Sequence, residues 1–443
     1  MTGTVPNAGQ ELSGYPWLPL SEMASFQEGP GILAKDFVDS GVALVRLSGL
    51  GGYEVTLEGS NFVEAEKGKG KWGHFRLKKG DILVSTSASF GRPAVVGAAA
   101  EGAIFYTGLI RFTPKSSDLD AGYLKAFLGS EVFLRQAEAL ASGSVIRHFG
   151  PSHLREMSIP VPPLPDQRAI AVTLGALDDK IEANRRMNET LEAMGRTLFR
   201  DWFVDFGPTR AKMAGQPPYL STALWSLFPD RLDEAGKPEG WEVEAVIDQA
   251  EWVNGAAYKN MHFSEEPDAL PVVKIAELKS GVTGQTKWTN TDLGARYLID
   301  DGELLFSWSG NPDTSIDAFI WTGGKAWLNQ HIFAVRSNGT RSKAFLHTML
   351  KFYMPDFTEL ARNKQTTGLG HVTKADMQRM LVCVGYPDLR SKFDKLVSPI
   401  YDQLLGLQIE SRTLAETRDL LLPRLMSGEL TVADVADDLR ERA

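Results

Sequence analysis

The most concentrated positive charge in the sequence lies between residues 67 and 80, where no acidic residue occurs. The cations and rings of this basic run are Lys67, Lys69, Lys71, Arg76, Lys78 and Lys79, with Trp72, His74 and Phe75. Lysine neutralises phosphates, arginine can also pair with guanine edges, and an aromatic ring packs on sugars or bases. The run therefore predicts a nucleic-acid contact through Lys67, Lys69, Lys71 and Arg76, and a solvated hairpin is the alternative.

Two similar loops combine small hydroxyl residues, glycine and a basic or amide side chain. They read SGSVIRH (142–148) and KQTTGLGH (364–371). Hydroxyl and backbone N–H groups suit phosphate oxygens, while arginine and glutamine reach base edges. The predicted DNA contacts here are Ser142, Ser144, Arg147, His148, Lys364, Gln365, Thr366, Thr367, His371 and, just beyond, Lys374. Plain turns are the alternative for both loops, and buried, hydrogen-bonded imidazoles are the alternative for the two histidines.

Further amide and hydroxyl groups occur in SWSGN (307–311) and NQH (329–331). The first segment adds Ser307, Ser309 and Asn311 to the predicted DNA contacts, because these residue types hydrogen-bond phosphates and bases. All of these groups suit recognition rather than catalysis.

Enzyme signatures occur only as short strings. Asp268, Glu277 and Lys279 fit the PD…ExK pattern, in which carboxylates hold a divalent ion and a lysine supports the attacking water. A metal-dependent DNA nuclease is therefore the alternative function. The string GxGxxG at 68–73 lacks the preceding strand and following helix of a dinucleotide site. One cysteine and seven histidines give no zinc-spaced cluster, so a structural metal has little support in this chain.

Composition and charge narrow the possible classes of protein. The 443 residues suffice for two or three domains, and the formal charge of −9 argues mildly against a protein that grips nucleic acid alone. No apolar stretch approaches the ~18 residues of a membrane helix, so no membrane partner is expected. A single cysteine, and an N-terminus without a secretion signal, predict a cytoplasmic location.

The elements that must position these residues occur twice in the sequence. Residues 142–161 align with 365–384 at an offset of 223. GDILVS (80–85) matches GELLFS (302–307) at nearly the same offset. Shared order and offset indicate an internal repeat, and the runs rich in Val, Ile and Phe indicate strands. The sequence therefore predicts two similar domains.

A helical seam follows each repeated domain. The first seam contains Ile170, Leu174, Leu177, Ile181, Leu191, Leu198 and Trp202, with Asn184, Asn188 and Gly195 in the remaining places. The second contains Leu389, Phe393, Leu396, Ile400, Leu407, Leu414 and Leu421, interrupted by Gln403 and Glu410. A period near 3.5 predicts helices that pair as a coiled coil, in which the asparagines could fix the register. The alternatives are helices that pack only on their own preceding domains, and asparagines that face solvent.

These patterns together predict an α+β fold, in which two similar mixed α/β domains are separated by two long helices that form an antiparallel coiled coil. Proline shortly before each seam marks the start of each helix. The expected boundaries are a first domain at 1–165, a helix at 166–206, a second domain at 207–387, a second helix at 388–430 and a tail at 431–443.

Three segments resemble a known protein family. Residues 159–208 resemble the central helical region of the specificity subunits of type I restriction-modification systems. TTGLGHVTKADM (366–377) and the ending LLLPRLMSGEL (420–430) are similar to other parts of the same family. The layout of domain, helix, domain and helix extends the resemblance over essentially the whole chain, and the two domains correspond to target-recognition domains.

The resemblance implies a noncatalytic subunit that binds double-stranded DNA and reads a bipartite target, one half-site per recognition domain. It implies assembly with two methyltransferase subunits and two motor/nuclease subunits. By this comparison S-adenosylmethionine belongs to the methyltransferase partner, ATP and magnesium belong to the motor/nuclease partner, and this chain binds none of them. Leu198, Trp202 and Phe203 are expected on a partner-docking surface, and their burial within the coiled coil is the alternative.

Overall fold

The computed structural model describes residues 14–50, 54–86, 93–140, 149–365 and 368–434. The chain divides into two compact units. Unit 1 comprises Met1–Ala183 with Thr413–Ala443, and unit 2 comprises Asn184–Arg412. Within the described ranges, none of the helices combines the length and the apolar character needed to span a bilayer.

The strands are short and are bounded mostly by glycine, proline and acidic or amide residues, which favour turns. Those of unit 1 are β1 (Trp17–Pro19), β2 (Ala24–Glu28), β3 (Phe37–Val38), β4 (Val42–Val45), β5 (Asn61–Val63), β6 (Ile82–Ser85), β7 (Ala94–Val95), β8 (Ile104–Phe105), β9 (Leu109–Pro114) and β10 (Ser158–Pro160). Those of unit 2 are β11 (Glu242–Ala245), β12 (Glu251–Asn254), β13 (Leu270–Val273), β14 (Trp288–Thr289), β15 (Leu298–Ile299), β16 (Leu304–Ser307), β17 (Ser309–Gly310), β18 (Asp317–Ile320), β19 (Ala326–Leu328), β20 (Ile332–Arg336), β21 (Gly370–His371) and β22 (Leu381–Val384).

The helices range from single turns to two helices of about forty residues. They are α1 (Leu20–Met23), α2 (Ala65–Lys69), α3 (Ala121–Leu128), α4 (Glu131–Leu140), α5 (Pro151–Leu154), α6 (Leu164–Phe203), α7 (Gly207–Met213), α8 (Thr222–Trp225), α9 (Ile275–Ser280), α10 (Pro312–Ser315), α11 (Lys343–Asn363), α12 (Lys374–Arg379) and α13 (Pro387–Ser427). Both α6 and α13 contain residues of both units, so their segments are described with the unit to which they belong.

Unit 1 contains an antiparallel sheet of order β2-β9-β6-β7 and a second sheet of order β3-β5-β4-β8, in which β4 and β8 are parallel. Strand β6 contributes to a core on each of its faces, because successive side chains of a strand point in opposite directions. Leu83 packs in a cluster with Val45 of the second sheet. Ile82 and Val84 pack in another cluster with Phe127 of α3. The first sheet is therefore covered by the second sheet on one side and by helices on the other.

Unit 2 repeats the strand order of the first sheet and the parallel strand pair of the second sheet. One sheet has the order β12-β20-β16-β18, and the other has the order β14-β13-β19-β15, in which β13 and β19 are parallel. Leu305 of β16 packs in a cluster with Val273. Leu304 and Phe306 pack on the helical side, where the ring centroids of Phe306 and Phe357 are 4.9 Å apart. The prediction of two similar mixed α/β domains is confirmed.

An antiparallel strand pair closes each domain at the start of a long helix. In unit 1 β1 pairs with β10, and in unit 2 β11 pairs with β22. The long helices themselves begin at Leu164 and Pro387, within two residues of the predicted starts. The prediction of a long helix after each domain is confirmed.

The long helices pair in unit 1 through apolar residues and one buried ion cluster. Ile170 and Leu174 of α6 share a core with Leu425 of α13. One turn further along α6, the Asp178 carboxylate accepts a hydrogen bond from Arg418 Nη1 at 2.8 Å. Residue numbers rise along α6 as those of the contacting residues in α13 fall, so the two segments are antiparallel.

The helix segments of unit 2 are antiparallel as well. Asn184, 2% exposed, donates from Nδ2 to Glu410 Oε2 at 2.7 Å and to Ser411 Oγ at 3.3 Å. Nearer the end of α6, the rings of Phe203 and Phe393 lie 4.9 Å apart. The prediction of antiparallel pairing is confirmed, and Asn184 lies in the seam as a polar layer rather than in solvent.

The predicted seam of α13 is wrong at one position. Leu396 is 38% exposed, whereas Val397 is 1% exposed and packs in the core of unit 2. Tyr401 and Leu404 are buried after Phe393, and the predicted Ile400 and Leu407 are partly buried against the same core. Leu396 and Val397 are both apolar, and the α13 face that meets both α6 and the domain core decides which of them is buried.

Candidate nucleic-acid interface

The basic run of unit 1 forms α2 and the turn that follows it. Trp72 is 5% exposed and anchors this segment in a small core with Val63. Gly68 packs so closely on Val42 that an added Cβ would lie 2.8 Å from the valine Cγ2. Lys69 and Lys71 are exposed, with the Lys71 ammonium 5.0 Å from the centre of the Trp72 ring. The segment is thus a rigid surface element that presents two lysines to solvent.

The other two predicted cations of this run are less free. Lys67 Nζ lies 3.2 Å from Asp36 and 3.5 Å from Glu64, and the hydrogen bond to Asp36 raises the lysine pKa. Arg76 is half-buried, and its carbonyl oxygen accepts a hydrogen bond from Arg111 Nη1 at 2.9 Å. Lys69 and Lys71 are therefore the strongest candidates for phosphate contacts in unit 1.

The loop of unit 1 that precedes α5 falls outside the described residues. Ser142, Ser144, Arg147 and His148 lie in this stretch, and in unit 2 Thr366 and Thr367 lie outside the described ranges as well. Their predicted DNA contacts stay predictions.

In unit 2 a short strand pair brings predicted residues from two distant segments together. Strands β17 and β21 are antiparallel, with Ser309 opposite His371 and Gly310 opposite Gly370. The next residue, Asn311, caps α10, because its Oδ1 accepts hydrogen bonds from the two backbone N–H groups that follow. His371 and Asn311 are exposed, and Ser309 is half-buried.

Lys364 and Lys374 lie on the same part of unit 2 but in different electrostatic settings. Lys364 Nζ lies 2.5 Å from Asp376. Burial alone would raise the pKa of Asp376, but hydrogen bonds from Lys364 and Thr373 lower it to about 2. Lys364 is therefore held in an ion pair. Lys374 is exposed and lies 5.8 Å from the centre of the Phe333 ring, and Gln365 is exposed as well.

The structure corrects two of the predicted contacts with other molecules. Ser307 is 0% exposed at the end of β16, so it cannot touch DNA in this conformation. Trp202 and Phe203, 0% and 2% exposed, belong to the aromatic core of unit 2, and Leu198 is partly buried against that core. Of the two alternatives predicted for Trp202 and Phe203, a docking surface or burial, the structure shows burial, because both side chains face α13 and the domain.

The structure adds Trp308, Gln330 and His331 to the surface that carries Ser309 and His371. The rings of Trp308 and His331 are 5.7 Å apart, and the indole Nε1 donates to Asn254 Oδ1 at 3.0 Å. The sequence shows that these residue types occur, in NQH and between the two serines of SWS. It does not show that they lie close together, because their proximity depends on the pairing of β16 with β20.

The residues of the alternative nuclease site have structural partners. Glu277 is buried, and its two carboxylate oxygens accept hydrogen bonds from the Lys274 backbone N–H at 3.0 Å and the Thr286 hydroxyl at 3.1 Å. Asp268 is exposed and accepts a hydrogen bond from Asn290. The part of the chain that the structure describes contains no cluster of three potential metal ligands. Glu277 thus caps α9 instead of facing an open metal position.

Comparison with known proteins finds similarity to one family. A sequence model described as the type I restriction modification DNA specificity domain matches residues 19–193. The MjaIX specificity subunit of Methanocaldococcus jannaschii is 25% identical over 81% of this chain and 79% of its own length. The HindI specificity subunit of Haemophilus influenzae is 26% identical over 80% of this chain and 87% of its own length. Residues 19–193 therefore match a type I restriction specificity domain, and the chain is similar to type I restriction specificity subunits over about four fifths of its length.

The relatives are named as specificity subunits, and specificity subunits of type I restriction systems are noncatalytic. Among solved structures, the crystal structure of a type I restriction-modification system S subunit from M. genitalium aligns with 96% of this chain and 99% of its own chain. The sequence identity is 17% and the TM-score is 0.46.

Proposed function

We propose that this chain is a specificity subunit that reads a bipartite sequence in double-stranded DNA, with one half-site per unit. The observation that carries the proposal is that both units share the strand order of their helix-covered sheet and a parallel strand pair in the second sheet, while the surface side chains on them differ. A backbone architecture that occurs twice with different surface residues is suited to binding two different half-sites. The proposed recognition domains are 1–165 and 207–387, and the proposed helical segments are 166–206 and 388–430, followed by a tail at 431–443.

In unit 1 the proposed phosphate contacts are Lys69 and Lys71, which are exposed on a rigid segment. In unit 2 the proposed contacts are Ser309, Gln365, His371 and Lys374, since β17 and β21 join their segments. Arg76 and Asn311 remain candidate DNA contacts through those of their hydrogen-bonding groups that are not already used within the protein. Lys67 and Lys364 contribute positive charge that their ion pairs already partly neutralise.

We place the long helices in the role of a spacer that sets the gap between half-sites. At about 1.5 Å per residue, a helix of 40 residues is about 60 Å long, and its length would determine which gap fits. Partner docking would use exposed helix positions. On α6, Met187 and Met194 are 46% and 51% exposed and lie two turns apart on one face.

The proposed partners are two methyltransferase subunits and two motor/nuclease subunits. S-adenosylmethionine would be bound by the former, and ATP and magnesium by the latter. Such partners would also explain the acidic total charge, because a reader of net charge −9 can rely on other subunits to help neutralise DNA. The cytoplasm stays the predicted location.

The test is the salt dependence of DNA binding by the assembled complex. The double variant Lys69→Ala/Lys71→Ala should weaken binding to all sequences and lower the slope of log K against log salt by about 2, or about one per lost phosphate contact. Lys325→Ala, which removes an exposed lysine of unit 2, is the control and should leave the slope unchanged. An unchanged affinity and slope for the double variant would show that the basic run is only a solvated surface.

A further inference from the structure

A turn before β9 in unit 1 is held by backbone contacts to neighbouring strands. Thr86 N donates to Gly108 O at 2.9 Å, and Gly29 N donates to Leu109 O at 2.9 Å. Gly29 lies so close to the turn that an added Cβ would be 2.2 Å from Tyr106 O. Glycine is therefore required where the end of β2 passes the turn.

A turn before β20 in unit 2 is held in the same way. Trp308 N donates to His331 O at 3.4 Å, and Gly255 N donates to Ile332 O at 3.0 Å. An added Cβ on Gly255 would lie 2.2 Å from Asn329 O. The two turns therefore occupy equivalent places in the two domains, down to the glycine that allows the close approach.

The side chains at this shared place differ between the units. Unit 1 has Thr107 and Gly108, whereas unit 2 has Gln330 and His331. The backbone is preserved at this place, while the side chains change from a short hydroxyl to an amide and an imidazole. This is the arrangement expected for a position that determines sequence specificity. The side chains, rather than the backbone, then distinguish the two half-sites.

In unit 2 the turn belongs to a polar and aromatic surface. Gln330 is half-buried, and its Nε2 lies 3.3 Å from Nε2 of the exposed His331. The His331 ring packs on Trp308, and Trp308 is held in turn by its hydrogen bond to Asn254. Asn254, Lys259 and Gln330 line a shallow cavity of about 630 Å³ beside the turn. The amide of Gln330 therefore contacts the His331 ring, which packs on Trp308, and the residue borders an open cavity.

The charge around this surface suits a nucleic acid. The Lys374 ammonium lies 5.8 Å from the centre of the Phe333 ring, which is itself 5.9 Å from the Trp308 ring. The nearby carboxylate of Asp376 is neutralised by its ion pair with Lys364. An exposed cation is thus linked through Phe333 to the Trp308 ring of this surface, and the acid near it is already paired.

We propose that Gln330 is a specificity-determining residue of unit 2 and that it reads an adenine in the half-site bound by this unit. A glutamine amide offers one donor and one acceptor, which match N7 and the N6 amino group of adenine in the major groove. Trp308 and His331 are positioning residues that fix the amide, and Lys374 supplies the adjacent phosphate contact. This inference rests on the proposed function and adds the residue and the base that it recognises.

The experiment maps methylated bases by single-molecule sequencing in cells that produce the complete complex with either the unaltered chain or a variant. Gln330→Ala should lower the preference for adenine at one position of one half-site by about 5-fold to 150-fold and leave every other position unchanged. Gln330→Glu should move the preference at that position toward cytosine, whose N4 amino group donates to a carboxylate. Gln216→Ala, which alters an exposed glutamine elsewhere in unit 2, is the matched control and should retain the full motif.

The outcomes separate this inference from the function on which it rests. If the unaltered chain gives a bipartite motif and both Gln330 variants give the same motif at every position, Gln330 does not read a base and the inference is overturned. A change spread over both half-sites would overturn it as well. If the unaltered chain gives no bipartite motif, the proposed function itself fails.

Discussion

Truncation of Trp202 is expected to destabilise unit 2 rather than to block the docking of a partner. The indole is 0% exposed, and its ring lies 5.1 Å from Phe228 and 5.4 Å from Phe393. Replacing a buried tryptophan by alanine costs about 3–5 kcal/mol through lost burial and the cavity left behind. The loss should be toward the lower end, because the indole Nε1 has no hydrogen-bond acceptor among the described residues and its burial already costs free energy.

The assay is urea-dependent hydrogen exchange on the full chain, which reports the opening of each unit separately from peptides within it. Trp202→Ala should lower the opening free energy of α11 peptides by about 3 kcal/mol, and Trp202→Phe should lower it by less because the ring remains. Met187→Ala, at an exposed position of α6, is the control and should change it by less than about 0.5 kcal/mol. If Trp202→Ala retained the protection of unit 2 and lost only partner binding, the assignment of Trp202 to the core would be refuted.

Three further predictions concern buried polar groups. Burial lowers the pKa of His347 to about 3, so the unfolded chain binds a proton below about pH 6.5 that the folded chain does not. The free energy of unfolding of unit 2 should therefore fall by up to about 1.4 kcal/mol per pH unit from about pH 6.5 toward 3, which urea titrations at several pH values would measure. Asp178→Ala should destabilise the helix pair of unit 1 by about 3 kcal/mol in thermal unfolding, because it removes a counter-charge from the mostly buried Arg418. Asn184→Ala should cost about 1.5–3 kcal/mol by urea titration, since it removes the hydrogen bond to the charged Glu410.

Each of these predictions has a control within the chain. His347→Leu should remove most of the acid-dependent loss between pH 6.5 and 5, and an unchanged pH slope would contradict the assignment of the slope to this residue. Asp178→Asn should lower the stability of unit 1 less than Asp178→Ala, because the asparagine keeps part of the hydrogen bonding. Equal losses of stability for the two variants would argue against a role for the hydrogen bonds that asparagine keeps. Asn188→Ala should cost less than Asn184→Ala, because Asn188 Oδ1 has no donor among the described residues.

The repeat and the first seam could be predicted because they are local or periodic properties of the sequence. Ile170, Leu174 and Trp202 are buried as their spacing indicates, and Asn184 lies in the seam. The second seam could not be predicted at Leu396, since Leu396 and Val397 are both apolar neighbours and local spacing does not distinguish them. The packing of α13 against the domain core makes that choice.

The candidate interface could be predicted in part. Charge clustering identified the exposed Lys69 and Lys71, and the repeat identified the segment of His371. The hydroxyl group of Ser307 predicts a DNA contact, but the apolar run before it makes Ser307 the last residue of a buried strand. The sequence alone could not single out the turn at Gln330 as a candidate contact, because its equivalence with the turn at Thr107 rests on backbone hydrogen bonds between segments far apart in the chain.

The most direct test of two separate readers is an exchange of residues 207–387 for the second domain of another specificity subunit, followed by single-molecule mapping of methylated bases. The account predicts that one half of the methylated sequence changes to that of the donor protein while the other half stays as it was. A change in both halves, or in neither, would contradict the assignment of one half-site to each unit.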